Sequence, residues 1–182
     1  MELRLSEFAD AIGTEPTRVR NAIHYNRLPF LDVGRKNEET TQKVERRTYS
    51  AADGFAWFLH DEAARILGCM PSQMAGLIQS NWPRGLSIYT RERLRGEPSD
   101  DTYLIIAQFP LKDDTGAHQV FVLPRQFHRD GKDHDNLLDI INDYPFVSLI
   151  RLDPIFEAYI LKLAANGWTA DDNGFSPIAG GE

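Results

Sequence analysis

Apolar residues recur at helical spacing at the start of the chain. Two groups of them define the inward positions of two short helices: Phe8, Ala9, Ile12, Val19, Ala22 and Ile23. Gly13 lies between the groups, where a residue without Cβ tolerates the left-handed backbone of a helix end. Ser6 and Thr14 are expected to cap the two helices, and Pro16 suits the first turn of the second. The pattern therefore predicts two helices joined by a tight turn.

A third helix is predicted after Ser50. Its apolar face is formed by Phe55, Phe58, Leu59, Ala63, Ile66 and Leu67. Ser50 and Asp53 have the spacing of a capping box, and Gly68 is expected to end the helix. Trp57 lies off the apolar face and is expected to meet the second domain or a partner. Residues 31–48, before this helix, predict two short strands joined by a polar tip.

The outward face of the second helix carries long hydrogen-bond donors and an aromatic ring. Its members are Thr17, Arg18, Arg20, Asn21, His24 and Tyr25. Such side chains can reach base edges and phosphates, although most polar helix faces are simply solvated. The face alone therefore leaves both interpretations open.

Two sequence blocks resemble one family of DNA-binding proteins. The run EPTRVRNAIHYNRLP is similar to the recognition helix and following turn of MerR-like winged-helix regulators, with matches at Pro16, Arg20, Leu28 and Pro29. The run RRTYSAADGF resembles the segment that closes the wing and opens the third helix in that family, with matches at Arg47, Tyr49, Ser50 and Asp53. The resemblance covers roughly the first 70 residues. It implies a recognition helix over residues 15–26 in the major groove and a wing over residues 31–48 on the flanking backbone.

The chain also departs from that family. Asn21 and Ala22 replace an aromatic pair, and Asn26 and Arg27 stand where a glycine-containing turn is common. No sustained heptad follows the third helix, so the family's long dimerisation helix is not expected. Its metal- or drug-sensing activity and its DNA-untwisting mechanism are therefore not carried over.

The second half of the chain changes character. Pro71 can begin a further helix, residues 81–85 predict a linker, and Asp135 and Pro154 predict two later helices, the last with Ile155, Tyr159 and Leu163 inward. Strands are predicted over residues 86–90, 103–109, 118–123 and 146–152. Residues after Gly167 are rich in glycine, aspartate and proline and predict a mobile tail.

These elements predict an α+β protein with two units. The expected parts are an N-terminal winged helix-turn-helix (residues 1–68), a helix and linker (69–83), a small β-β-β-α-β-α domain (84–167) and a flexible tail (168–182). The second unit is expected to dimerise the protein or to bind an effector or a protein partner.

The net charge of −7 would oppose DNA binding if it were spread evenly along the chain, but it is not. Between Pro16 and Tyr49, eight basic residues stand against four acidic ones, so this segment carries +4 and the remainder −11. Phosphate contacts are short-range and are screened beyond about 10 Å, so a basic face on an acidic body is compatible with DNA binding. An ordinary solvated hairpin would explain the same charge run.

Several other classes of function lack their sequence signals. There is no apolar run of about 18 residues, and Glu2, Arg4 and Glu7 interrupt any signal-peptide pattern, so a cytoplasmic protein without a membrane contact is expected. The single cysteine, Cys69, excludes an internal disulfide and a multi-cysteine zinc site. The polar cluster 128–135 is expected to be a solvated turn rather than a metal site. No catalytic or cofactor motif is found, so neither an enzyme nor a cofactor is predicted.

The resulting prediction is a sequence-specific transcriptional regulator of bacterial or phage type, such as a repressor, that binds double-stranded DNA as a homodimer. The predicted DNA-binding residues are Thr17, Arg18, Arg20, Asn21, His24, Tyr25, Arg27, Arg35, Lys36, Lys43, Arg46 and Arg47. One alternative is a phage DNA-packaging or excision accessory protein with the same winged helix. Another is a protein-interaction adaptor that has lost DNA binding.

Overall fold

The structure, a computed structural model, describes residues 1–30, 47–98, 102–108, 118–123 and 146–178. The helices in this part of the chain are α1 (Leu5–Ala11), α2 (Pro16–His24), α3 (Ala51–Leu67), α4 (Pro71–Asn81), α5 (Ser87–Leu94) and α6 (Leu152–Ala165), with a π-helical turn at Trp82–Leu86. No described helix is long and apolar enough to cross a bilayer.

The strands form three small antiparallel sheets. They are β1 (Leu3–Arg4), β2 (Thr48–Tyr49), β3 (Tyr103–Gln108), β4 (His118–Leu123), β5 (Phe146–Arg151), β6 (Trp168–Asp171) and β7 (Gly174–Pro177). β1 pairs with β2, β3 lies between β4 and β5, and β6 pairs with β7. The predicted α+β class is confirmed, and so are the three strands of the central sheet to within one residue.

The first two helices form as predicted, but their caps differ. Phe8 and Val19 are fully buried between them, and Gly13 takes a φ of 64° after α1. Ser6 lies inside α1, which begins after Arg4, and the Glu7 carboxylate accepts the Arg4 backbone N–H at 3.0 Å. The residue before α2 is Glu15, not Thr14, and its side chain makes no capping bond. The predicted side-chain caps are therefore wrong, while the turn itself is confirmed.

The third helix begins and ends as the sequence predicts. Ser50 Oγ accepts the Asp53 backbone N–H at 3.2 Å, and the Asp53 carboxylate accepts the Ser50 backbone N–H at 2.8 Å. This capping box satisfies two of the donors that a helix N-terminus leaves unpaired. Gly68, with a φ of 64°, ends the helix.

One hydrophobic core joins the two predicted units. The Phe55 ring on α3 lies 6.1 Å from Tyr89 on α5, and 5.2 and 5.7 Å from Phe156 and Tyr159 on α6. The Tyr159 hydroxyl donates to the Ala51 carbonyl at 2.8 Å, and burial raises the pKa of this phenol well above its usual range. The core therefore does not divide between residues 68 and 84, because α3 is shared by both halves.

The segment between α4 and the sheet is helical, which corrects two predictions. Residues 81–85 were expected as a linker and 86–90 as a strand, but they form the end of α4, the π-helical turn and the start of α5. Leu86, Tyr89 and Thr90 are buried at i, i+3 and i+4, which is helical spacing. The strand was predicted because apolar and polar residues alternate over this stretch. The helix is favoured because it brings the Tyr89 ring against Phe55.

The C-terminal residues fold back on α1 and α3 instead of forming a flexible tail. Phe175 on β7 is fully buried, and its ring lies edge-on to Phe8 at 6.3 Å. A Cβ added to Gly54 would lie 2.6 Å from the Tyr159 hydroxyl and 3.0 Å from Phe175 Cζ, so α6 and β7 both approach α3 closely. Asp172 and Asn173 form the turn of the hairpin, between the paired residues Asp171 and Gly174, and two-residue turns are the commonest hairpin connection. The prediction of a flexible tail over 168–182 is wrong for the described residues up to 178.

A buried polar network ties α5 to α6 and the sheet. The Asp153 carboxylate accepts the Tyr89 hydroxyl at 2.9 Å and the Thr102 backbone N–H at 3.2 Å, and Arg93 lies 3.6 Å away. Burial, with Asp153 nearby, raises the pKa of Tyr89 far above its usual value, so this phenol stays a donor.

Candidate nucleic-acid interface

The α2 helix has one buried and one exposed face. Val19 is fully buried, and Ala22 and Ile23 pack against the core. Four polar side chains are exposed on the other side: Thr17, Arg20, Asn21 and His24. Because residues three and four apart share a helix face, Thr17, Asn21 and His24 lie in one row. Arg20, three residues after Thr17 and four before His24, lies on the same side, so the predicted outward face is present as a continuous polar surface.

Arg20 and Asn21 are available for a ligand. Within the described ranges, neither side chain makes a hydrogen bond or an ion pair, and both are exposed. This surface thus offers guanidinium and amide donors that no described group of the protein already occupies.

An aromatic and basic cluster lies where α2 ends. Tyr25 is 60% exposed, the Arg27 guanidinium lies 5.4 Å from its ring centroid, and His24 meets the same ring edge-on at 4.8 Å. Asn26 takes a φ of 51°, the left-handed conformation that glycine usually supplies and that asparagine tolerates. Asn26 therefore replaces the glycine that is common in this turn.

Arg18 is engaged by α3, which the sequence did not predict. Its guanidinium donates to both carboxylate oxygens of Asp61, one at 2.8 Å, and lies 5.5 Å from the centroid of the Trp57 ring. Arg18 thus lies on the α3 side of α2, at the border of the row formed by Thr17, Asn21 and His24. The prediction that Arg18 contacts a base or a nearby phosphate stays a prediction.

Trp57 and Asp61 are the site residues that sequence reasoning missed. Trp57 is only 3% exposed, so it lies inside the protein beneath Arg18 and is not available to an outside partner. Asp61 is one helical turn further along α3, and the two residues share a helix face. The contact between Arg18 and Asp61 spans 43 positions, so no local periodicity could have revealed it.

His60 lies beneath this ion pair. It is 4% exposed, its Nδ1 bonds the Trp57 carbonyl, and its Nε2 lies 3.3 Å from the Asp61 carboxylate. Burial lowers the pKa of His60 below its usual 6.5, Asp61 and the Trp57 carbonyl oppose this shift, and Arg18 adds to it. Because a carbonyl oxygen can only accept, the neutral ring donates from Nδ1 and keeps its other nitrogen unprotonated.

This burial predicts a pH-dependent stability. The unfolded chain binds a proton at His60 near pH 6.5, and the folded chain binds it only at lower pH. The stability that neutral His60 contributes to the folded protein is therefore fully present above about pH 6.5. It is lost as the pH falls through the pKa of His60 in the folded chain, because protonation favours the unfolded chain. We expect His60→Gln to flatten the fall of the unfolding free energy as the pH is lowered below about 6.5, measured by urea denaturation at a series of pH values. An unchanged slope in the variant would contradict this assignment.

Most of the predicted wing residues fall outside the part of the chain that the structure describes. Arg35, Lys36, Lys43 and Arg46 lie outside the described residues. Arg47, immediately before β2, is half-buried and already interacts with a neighbouring group. The described part of the candidate interface therefore consists of α2 and the residues just after it.

The remaining chemistry and the comparisons give no further assignment. Among described residues, no group of three histidine, cysteine, aspartate or glutamate side chains could hold a metal ion, and residues 128–135 lie outside that part. Comparison of the chain with models of protein families, with curated proteins and with solved structures finds no significant match.

Proposed function

We propose that this protein binds duplex DNA sequence-specifically, with α2 in the major groove. The observation that supports the proposal most is the division of α2 between a buried apolar face and an exposed row of donors and acceptors. A helix fits the major groove, where side chains of this kind distinguish base pairs. The contacts that hold α2 against α1 and α3 give it the fixed orientation that base recognition requires.

The N-terminal elements are consistent with a winged helix-turn-helix. The turn at Gly13 joins α1 to α2, and β1 pairs with β2 through Leu3 and Tyr49. Tyr49 stacks on Phe8 at 4.4 Å, which fixes the strand pair against α1. In this proposal the wing lies between α2 and β2, in residues outside the described ranges.

The exposed residues suit specific parts of the duplex. Arginine pairs through two hydrogen bonds with guanine and asparagine with adenine, so Arg20 and Asn21 are the proposed base contacts. Thr17 and His24 flank Asn21 in the same row and reach bases or adjacent phosphates. Tyr25 and Arg27 lie at the end of the helix and are proposed to contact the backbone.

The role of Arg20 can be tested on a selected site. Selection from a random duplex pool should first enrich a sequence that the wild-type protein prefers. We expect Arg20→Ala to weaken binding to that sequence by roughly 1–3 kcal/mol and to relax preference at one base pair. Arg91→Ala, which removes an exposed arginine from α5, is the matched control and should bind nearly as wild type. Unchanged affinity and preference in Arg20→Ala would remove it from the base contacts.

We further propose that the protein acts as a transcriptional regulator of bacterial or phage type, as a homodimer. One small recognition helix buries little surface, so two half-sites are expected, and the selected sequence should be an inverted repeat.

A protein-interaction adaptor is the second candidate. The net charge of −7 and the neutralisation of Arg18 by Asp61 favour it, because both weaken attraction to DNA. An absence of binding to any duplex at low salt would support the adaptor over the DNA-binding protein.

A further inference from the structure

The guanidinium of Arg18 is held on two sides. Its two terminal nitrogens donate to the two Asp61 oxygens, and the Trp57 ring lies 5.5 Å from its central carbon. Two-point contact with a carboxylate fixes the plane of a guanidinium, and an adjacent aromatic ring restrains it further. The side chain therefore has a defined orientation, unlike a solvated surface arginine.

This arrangement leaves part of the guanidinium unused. An arginine carries five N–H donors, and a two-point contact through the terminal nitrogens uses two of them. The side chain is still 45% exposed, and no other described group accepts its remaining donors. The unused donors are therefore accessible to an outside acceptor.

The position of Arg18 determines which acceptor can reach it. It lies in the first turn of α2, next to Thr17 in sequence and three residues before Asn21, at the border of the exposed row. A helix that inserts into the major groove has phosphates along its flanks, and base edges only beneath its outermost row. The border with α3 is thus a backbone position.

We propose that Arg18 contacts a phosphate that flanks the major groove and that Asp61 is a positioning residue for this contact. The inference rests on the proposed function. Asp61 acts through Arg18, because it fixes the guanidinium with its unused donors outward, and Trp57 supports the same orientation from below.

The proposal predicts an effect of Asp61 on DNA binding that is opposite in sign to the effect of its charge alone. A carboxylate beside DNA repels phosphates, so removal of its charge should tighten binding if repulsion were its only effect. If Asp61 positions Arg18, removal of its charge should weaken binding, because the guanidinium loses its fixed orientation. The sign of the change therefore separates the two roles.

Glu62 provides a matched control. It lies next to Asp61 on α3 and carries the same charge, but it pairs with Arg65 at 2.6 Å and not with α2. Glu62→Gln should therefore bind DNA as tightly as the wild type or more tightly.

The test is a titration of a fluorescein-labelled duplex of mixed sequence, about 30 base pairs long, at several salt concentrations. We expect Arg18→Ala to weaken binding about threefold to tenfold and to reduce the salt slope by about 0.9, the value for one lost phosphate contact. Asp61→Asn should weaken binding in the same direction. In the Arg18→Ala background, Asp61→Asn should produce no further loss, since a positioning residue has nothing left to position.

Folding controls and a second substitution at Arg18 separate a loss of binding from a loss of folding. Circular dichroism and urea denaturation first establish that each variant is folded. Arg18→Lys keeps the charge but not the planar fork, and it should also weaken binding if orientation matters. Wild-type affinity in both Asp61→Asn and Arg18→Lys, or tighter binding by Asp61→Asn alone, would overturn the inference while leaving the proposed function standing. Failure of the wild-type protein to bind the duplex at low salt would overturn both.

Discussion

Replacement of Phe55 by alanine is expected to lower the free energy of unfolding by about 3–5 kcal/mol. The ring is fully buried and lies within 6.1 Å of the rings of Tyr89, Phe156 and Tyr159, which come from two other helices. Its loss leaves a cavity that these two helices would have to fill, and close-packed interiors relax only in part. Urea denaturation followed by fluorescence and by circular dichroism measures the change.

This prediction also tests whether the chain has one core. If it has, both probes should report one transition in the wild type and one destabilised transition in the variant. Ile66→Ala is the matched control on the same helix, since Ile66 is 51% exposed, and it should change stability by less than about 0.5 kcal/mol. Two separate transitions, with only one affected by Phe55→Ala, would show that the halves fold independently.

Phe175→Ala is expected to have an effect of similar size, about 3–5 kcal/mol. Phe175 is the residue through which the C-terminal hairpin enters the core, between Phe8 and Trp168, whose rings lie 6.3 and 6.4 Å away. The variant loses this packing and also the anchor that holds β7 against α1. The urea midpoint and hydrogen exchange of the hairpin amides measure the two effects.

The control for Phe175 is Ile178→Ala. Ile178 follows the same hairpin, is 44% exposed, and should change stability by less than about 0.5 kcal/mol. If Phe175→Ala were as mild as this control, the hairpin would contribute nothing to the core and the sequence-based expectation of a loose tail would be restored.

Sequence patterns predicted the elements whose signals are local. The capping box of Ser50 and Asp53, the helix ends at Gly13 and Gly68, and the central strands were all found, because each depends on residues a few positions apart. The helical course of residues 86–90 was missed because its decisive contact is with Phe55, far along the chain. The hairpin was missed because its composition is polar and rich in glycine, while the contact that holds it, between Phe175 and Phe8, joins residues far apart in the chain.

In the candidate site, too, the features with local sequence signals were predicted and those that depend on long-range contacts were not. Helical periodicity predicted that Arg20, Asn21 and His24 would be exposed, and the structure agrees. The same periodicity assigned Arg18 to that surface, because a period of 3.6 residues gives the face of a side chain but not the neighbour it meets. Only the folded arrangement of α2 against α3 reveals Asp61 as its partner.

The turn between α1 and α2 is held from behind by the C-terminal part of the chain. Asn166 on the end of α6 donates to the Ala11 carbonyl at 2.9 Å, and the Lys162 side chain lies against Gly13. A fragment that ends at Gly68 would lose these supports and expose Phe8 and Phe55 to water. The α2 helix therefore depends for its position on surfaces that lie outside the first 68 residues. A hybrid protein that carries α1 and α2 on another scaffold must bring α6 and the hairpin with it, or replace the surfaces they cover.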